Sequence, residues 1–184
     1  MTPAVRPRIF TIGHSTRTFD EVLGMLRSNG VTQLVDVRSF PSSRTFPQWN
    51  RDAIEAALPR EIGYRWIRQL GGRRHTRAGV ESPNGWWRVA AFRSYADYMA
   101  SDAFAAGLAE LLTEAERRVP AIMCSEAVPW RCHRRLVTDA ALVAGAEVRH
   151  IMSPGRTELA VLTPAARVDD GVLTYPPDDE ETPK

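Results

Sequence analysis

The sequence predicts an α/β protein: a mainly parallel sheet covered by helices in a Rossmann-like three-layer arrangement, with an appended C-terminal β-hairpin. Three observations carry that expectation. Short apolar runs alternate with segments of helical periodicity through most of the chain, the pattern of βα units. Each predicted strand of the main body ends in polar or glycine-rich residues, namely His14-Ser15, Arg38-Ser39, Gly71-Gly72-Arg73, Ser125-Glu126 and Ser153-Pro154-Gly155-Arg156. No repeat or linker divides the 184 residues, a length that one hydrophobic core can serve. Residues 1–176 are therefore expected to form a single domain, and the acidic, proline-containing stretch 177–184 a disordered tail.

Arg8 to Gly13 reads as the first strand, and His14-Ser15-Thr16-Arg17 as the turn that leaves it. Thr18 and Glu21 stand at capping-box spacing before a helix whose apolar face is Phe19, Val22, Leu23 and Leu26, with Gly30 as its stop. Gln33 to Val37 reads as a buried strand running into the proline-interrupted loop Arg38 to Arg44. A short helix is expected over Arg51 to Leu58 and a third strand over Tyr64 to Ile67. Gln69 to Val89 is the longest irregular stretch, and Trp86 and Trp87 argue against its full disorder. Helical periodicity returns over Phe92 to Met99 and Asp102 to Arg118. Ala121 to Cys124 reads as a strand, Arg131 to Ala144 as a helix with Gly145 at its C′ position, and Glu147 to Met152 as the next strand. Leu159 to Leu162 and Val172 to Tyr175 flank Asp169-Asp170-Gly171 and read as the hairpin.

A net charge of +2 does not by itself argue for nucleic acid. Lys184 is the sole lysine, so the cationic chemistry is arginine's, suited to bidentate phosphate or carboxylate recognition; a GC-rich genome produces the same skew. The N-terminal residues have no apolar core of a secretory signal, and no stretch approaches a membrane span, so a cytoplasmic protein with no membrane partner is expected. Two cysteines do not make a disulfide framework, although Cys124 and Cys132, eight residues apart across a loop, could still form a transient redox pair.

In a parallel sheet the polar strand ends gather at one edge, where open α/β proteins bind their ligands. Cys124 is either a core cysteine or a nucleophile activated by a helix N-terminus and by Arg131, His133 and Arg134. The Cys-x5-Arg anion loop of phosphatases and rhodaneses is not matched: six residues separate Cys124 from Arg131, Pro129 removes an amide, and glycine is absent. Glu126 is a candidate general acid or base, or a solvated loop carboxylate. Cys132 shares a helical face with Leu136 and Ala140 and reads as packed inward. His133 and Arg134 fall near unpaired helix amides, a place that favours an anion. Cys124, Glu126, Cys132 and His133 lack the paired C-x2-C spacing of structural zinc, so neither metal nor cofactor is expected. His14 with Ser15, and Arg38 two residues after Asp36, form a second group; a structural Asp–Arg pair is the alternative for Arg38. Arg73, Arg74, His75 and Arg77, followed by Trp86 and Trp87, are either a stacking and phosphate grip for single-stranded nucleic acid or a solvated loop anchored by its tryptophans.

Several of these stretches occur together in a recognisable order: Thr11-Ile12-Gly13-His14-Ser15, Leu34-Val35-Asp36-Val37-Arg38 leading to Pro41 and Ser43, Leu70-Gly71-Gly72, and Phe92 to Met99. Met123-Cys124-Ser125-Glu126 with Cys132-His133-Arg134 follows, then Leu162-Thr163-Pro164 and Leu173-Thr174-Tyr175-Pro176. Over about residues 8–176 this closely resembles the bacterial domain-of-unknown-function family 488. The resemblance implies a compact cytosolic α/β domain and brings no activity with it. One departure is that the family pattern often places a histidine before the Leu-Thr-Pro element, whereas Thr157 to Val161 has none.

The expected function is an enzyme, a hydrolase or group transferase, acting on an anionic, phosphate-bearing substrate such as a nucleotide or a nucleic-acid end. Glu126 and His14 would carry acid–base work with Cys124 as nucleophile, and Ser15, Arg38, Arg131, His133 and Arg134 would hold the substrate. Hydride transfer is not expected, because no dinucleotide glycine fingerprint is present. The alternatives are a non-catalytic nucleic-acid or nucleotide binding module, and cysteine-based redox or persulfide chemistry.

Overall fold

The computed structural model describes residues 6–76 and 79–178. Its elements, in chain order, are β1 (Arg8–Gly13), α1 (Phe19–Ser28), β2 (Gln33–Asp36), α2 (Arg51–Ala57), β3 (Gly63–Trp66), α3 (Ala90–Tyr98), α4 (Asp102–Arg117), β4 (Pro120–Cys124), α5 (Arg134–Val143), β5 (Glu147–Ser153), β6 (Arg156–Leu159), β7 (Arg167–Asp169) and β8 (Val172–Thr174). Six strands form one sheet in the order β3-β2-β4-β1-β5-β6. The first five are parallel, and β6 adds an antiparallel edge. β7 and β8 make the separate hairpin. The α/β fold with a mainly parallel sheet and an added hairpin is thus present.

Side-chain alternation along the strands feeds two cores. Phe10 and Ile12 of β1, Leu34 of β2 and Ala121 and Met123 of β4 pack with Val22, Met25 and Leu26 of α1 and Ile54 of α2. Ile9, Val35, Ile122 and Cys124 face the other way, onto Tyr95 of α3, Leu111 of α4 and Leu136 and Val137 of α5. Full burial of each such aliphatic side chain contributes roughly 1.5–3 kcal/mol. α1 begins where predicted, because Thr18 accepts from the Glu21 amide and the Glu21 carboxylate accepts from the Thr18 amide.

The strand order creates the site. β1 continues toward α1, on one face of the sheet, while its neighbour β4 continues toward α5 on the other. Chains that part to opposite faces leave a crevice at the carboxyl ends of the two strands. The register sets Gly13 beside Cys124 and Asp36 beside Met123, so the residues that follow β1, β2 and β4 emerge level with one another.

The largest departures from the sequence expectation are at the start of α5 and in the hairpin. α5 starts at Arg134, not Arg131: Pro129–Arg131 is a separate 3-10 turn, and Cys132 is extended at φ −137° and ψ 150°. The hairpin is Arg167–Asp169 with Val172–Thr174, and Leu159 to Leu162 is not part of it. Pro154 and Gly155 (φ 73°) turn the chain tightly, so Arg156–Leu159 pairs back onto β5, while Val161, at 80% exposure, packs against little. Of the expected tail, 179–184 lies outside the described residues, as does Arg77 of the basic loop. Among the described residues no helix is long and apolar enough to cross a membrane.

Candidate functional site

A cavity of about 600 Å³ opens over the carboxyl ends of β1, β2 and β4. It brings together His14, Arg38, Cys124, Glu126, Arg131 and His133 from the predicted set, and adds Ser39, Phe40, Arg73 and Cys132. Ser15 and Arg134 do not line it.

His14 is held from three sides. Its amide donates to the Cys124 carbonyl at 3.0 Å, continuing the β1–β4 ladder. Its ring stacks on the buried Trp49, centroids 4.6 Å apart, and Nδ1 lies 3.0 Å from the Ser15 carbonyl. A carbonyl only accepts, so Nδ1 carries the hydrogen and Nε2 keeps the lone pair. That Nε2 has no hydrogen-bond partner among the described residues. Burial lowers the His14 pKa to about 4, and the nearby Arg38 and Arg134 charges act in the same direction, so the ring is neutral at neutral pH. Ser15 itself turns the chain at φ 47° with its amide on the Ser125 carbonyl; its part in the fold is the turn.

Arg38 is the structural partner of Asp36. Its Nε and Nη2 grip the fully buried carboxylate, Nη2 at 2.6 Å from Oδ2, and the Tyr64 hydroxyl donates to the same Oδ2 at 2.8 Å. Burial and the Asp36 charge push the Tyr64 phenol far up, so it remains a donor. Arg38 nevertheless lines the cavity, and its Nη1 makes no hydrogen bond among the described residues.

Glu126 and Arg131 are exposed, and neither side chain makes a hydrogen bond or ion pair among the described residues. Arg73, also exposed, lies over the Phe40 ring at 5.5 Å, and its amide donates to Ser39 Oγ. Two guanidiniums without a partner among the described residues therefore line the cavity with one carboxylate, an excess of positive charge that favours an anion.

The floor is sulfur. Cys124 Sγ and Cys132 Sγ are 2.7 Å apart, both buried and both free. Burial, then the hydrogen bond with Cys132, pushes the Cys124 thiol well up. Burial would raise Cys132 too, but its hydrogen bond with Cys124 and the charges of His133 and Arg134 take it well below the usual thiol range. His133 Nε2–H donates to the Val37 carbonyl at 2.9 Å, which leaves Nδ1 toward Cys132 Sγ at 3.5 Å.

Arg134 is a buried strut, 1% exposed. It donates from Nη2 to the Glu126 carbonyl at 2.5 Å and from Nη1 to Thr11 Oγ1 at 3.4 Å. Gly13 makes room for it: a Cβ there would stand 2.9 Å from Nη2 and 1.7 Å from the Glu126 carbonyl oxygen. The basic loop is likewise partly structural. Arg74 donates to the Gly71, Arg68 and Gln69 carbonyls and lies over Tyr98 at 3.6 Å, while Trp87 packs in the core against Trp86, Phe92 and Tyr175. Among the described residues no three or more His, Cys, Asp or Glu side chains are arranged to hold a metal ion.

Sequence reasoning did not find Trp49, the platform under His14, or the Phe40–Arg73 pair. The tryptophan in Phe46-Pro47-Gln48-Trp49, within an otherwise polar proline-rich loop, was the available signal for the first. Nothing curated and no solved structure matches this chain. The model of the family described as domain of unknown function DUF488 matches residues 18–141, well over half of the chain. That span takes in Asp36, Arg38 and the whole turn from Cys124 to Arg134, and leaves out β1 with His14. By that match the chain belongs to the DUF488 family.

Proposed function

We propose that the protein is a hydrolase or group transferase acting on a small phosphate-bearing substrate, a nucleotide or a nucleic-acid end. The observation that carries this reading is the cavity at the β1/β4 crevice, lined by Arg131 and Arg73, which have no partner among the described residues, together with the Glu126 carboxylate and the neutral His14. The arginines bind the phosphate oxygens, and Phe40 offers a flat apolar surface beside them. Neutral, and with Nε2 open among the described residues, His14 accepts a hydrogen bond from the nucleophile or leaving hydroxyl and orients it. Glu126, the exposed carboxylate, takes the proton. Cys124 is held as a thiol and is not needed for this chemistry.

The test uses Glu126→Gln and Arg131→Ala, whose exposed side chains separate activity from folding. Arg38→Ala would not, because it strands Asp36. Wild type and variants are incubated with nucleoside mono-, di- and triphosphates and a 5′-phosphorylated oligonucleotide, and products are read by mass spectrometry. Turnover of one class by wild type is expected, lost in Glu126→Gln and with a raised KM in Arg131→Ala, at unchanged melting temperature. Turnover that survives Glu126→Gln, or no turnover and no saturable binding of any of these compounds by wild type, refutes the proposal.

A further inference from the structure

The sulfur pair has a chemistry of its own. The two Sγ atoms are 2.7 Å apart, about 0.65 Å longer than a disulfide bond. Both belong to the cavity lining, so a small molecule that enters can touch them. The surroundings of the two atoms are unequal. Cys132 Sγ receives the Arg134 amide at 3.5 Å, at the first residue of the ten-residue helix α5, and faces His133 Nδ1 at 3.5 Å. Among the described residues Cys124 Sγ receives only the Glu126 amide besides its partner, and it lies at the end of an apolar strand.

Arg134 supplies an independent argument. Its guanidinium is buried, makes no ion pair with a carboxylate among the described residues, and has an Nε without a partner. A buried charge without a counter-charge is strongly unfavourable. His14, His150 and the two cysteines feel this charge, and of these only the cysteines can become negative. One proton shared between two sulfurs gives Arg134 its counter-ion.

We propose that Cys132 and Cys124 form a working dithiol–disulfide couple, with Cys132 the attacking thiolate and Cys124 the resolving thiol, whose substrate is a small carboxylate-bearing disulfide held at the cavity mouth by Arg73 and Arg131. The Cys132 thiolate attacks one sulfur of R–S–S–R. The S–S bond breaks, RS⁻ leaves and takes a proton from water, and a mixed disulfide remains on Cys132. Cys124 then gives up its proton and attacks Cys132 Sγ. The second RS⁻ leaves and takes up a proton. The protein has lost two electrons to form Cys124–Cys132, and the disulfide has gained them to become two thiols. This couple does not depend on the phosphate-ester reading, since it uses neither Glu126 nor His14. His133 and Arg134 act as positioning residues that hold the charge on Cys132.

The test is to mix the reduced full chain with oxidised glutathione at pH 7, quench with acid and read intact mass. Wild type is expected to lose two hydrogens without a lasting adduct. Cys124→Ser should accumulate one glutathione on Cys132, and Cys132→Ser should form an adduct at least about tenfold more slowly. Iodoacetamide labelling of unmutated protein gives a second readout. Its rate at Cys132 should hold below pH 8, where that of an ordinary thiol falls away, in a setting where Cys124, His133, Arg134 and the buried Tyr95 of α3 are the titratable and charged neighbours. Wild type that keeps both thiols, adducts forming equally fast in the two variants, or labelling that falls away below pH 8 as for an ordinary thiol would overturn the proposal.

Discussion

Replacing Asp36 by asparagine should unfold more of the molecule than any change at the cavity rim. Asp36 is fully buried and accepts from the Arg38 amide at 3.0 Å, Arg38 Nε at 2.9 Å, Nη2 at 2.6 Å and the Tyr64 hydroxyl at 2.8 Å. Asp36→Asn keeps the shape, removes the charge and turns one acceptor into a donor that faces donors. Breaking one side of a buried ion pair costs about 3–5 kcal/mol. At about 2–4 °C per kcal/mol for a chain of this size, melting should fall by ~6–20 °C. Arg38→Met, which strands the carboxylate instead, should fall within the same range. The double variant removes both charges and strands neither, so it should recover part of the loss. Urea denaturation of the four proteins measures the coupling as a double-mutant cycle. Single variants that lose less than about 1 kcal/mol, or a double variant that loses the sum of the two, would refute the assignment of Asp36 and Arg38 as a mutually dependent pair.

Other changes test neighbouring parts of the architecture. Gly13→Ala drives a Cβ into the Glu126 carbonyl and should cost at least about 1–3 kcal/mol. Gly24→Ala, in α1 with nothing within 4 Å of the new Cβ, should stabilise by about 0.5–1 kcal/mol; urea melts that rank the two alike would contradict the geometry. His14 has a folded pKa of about 4 against 6.5 ordinarily, so the unfolded chain binds its proton first. Stability is therefore complete above about pH 6.5, falls as pH drops through that window and levels below about 4. His14→Gln should remove up to about 3 kcal/mol of that fall, leaving the part due to His150, which burial also lowers to about 4; identical pH profiles for variant and wild type would sink this. Tyr175→Phe leaves Asp139, whose carboxyl is raised by burial, without the 2.8 Å bond it accepts from the tyrosine hydroxyl. Chemical denaturation should register a loss of about 1–3 kcal/mol, and no loss would mean the bond contributes nothing.

Local signals made much of the fold legible. Arg8–Gly13, the Thr18–Glu21 capping box and Ala121–Cys124 stand where period and cap chemistry place them. The polar strand ends foretold a shared edge, and His14, Arg38 and Glu126 do meet there. What remained hidden depends on partners far along the chain. Nothing near Gln33–Asp36 says that β4, rather than β1, lies beside it. Leu159 to Leu162 reads as apolar strand, yet the Pro154–Gly155 turn settles the pairing one segment earlier. Arg134 looked like a substrate grip because it stands among arginines; periodicity does not say that this guanidinium points inward to brace the Glu126 carbonyl. Cys132 is packed inward and meets Cys124 as the sequence allowed, but not from a helical face: it is extended and lies ahead of α5, after the Pro129–Arg131 coil.

β1 is the first strand of the sheet to be made, and both of its partners come late. It lies inside the sheet, between β4 and β5, and its partners begin at Pro120 and Glu147. On the ribosome, Ile9, Phe10 and Ile12 must wait without a partner strand until most of the chain has been synthesised. The α1–β2–α2–β3 segment can collapse meanwhile, but the sheet cannot close and the crevice cannot exist. Such long-range closure slows folding and leaves an apolar strand open to wrong pairing in the interval. Refolding after dilution from denaturant should for this reason be slow and sensitive to protein concentration.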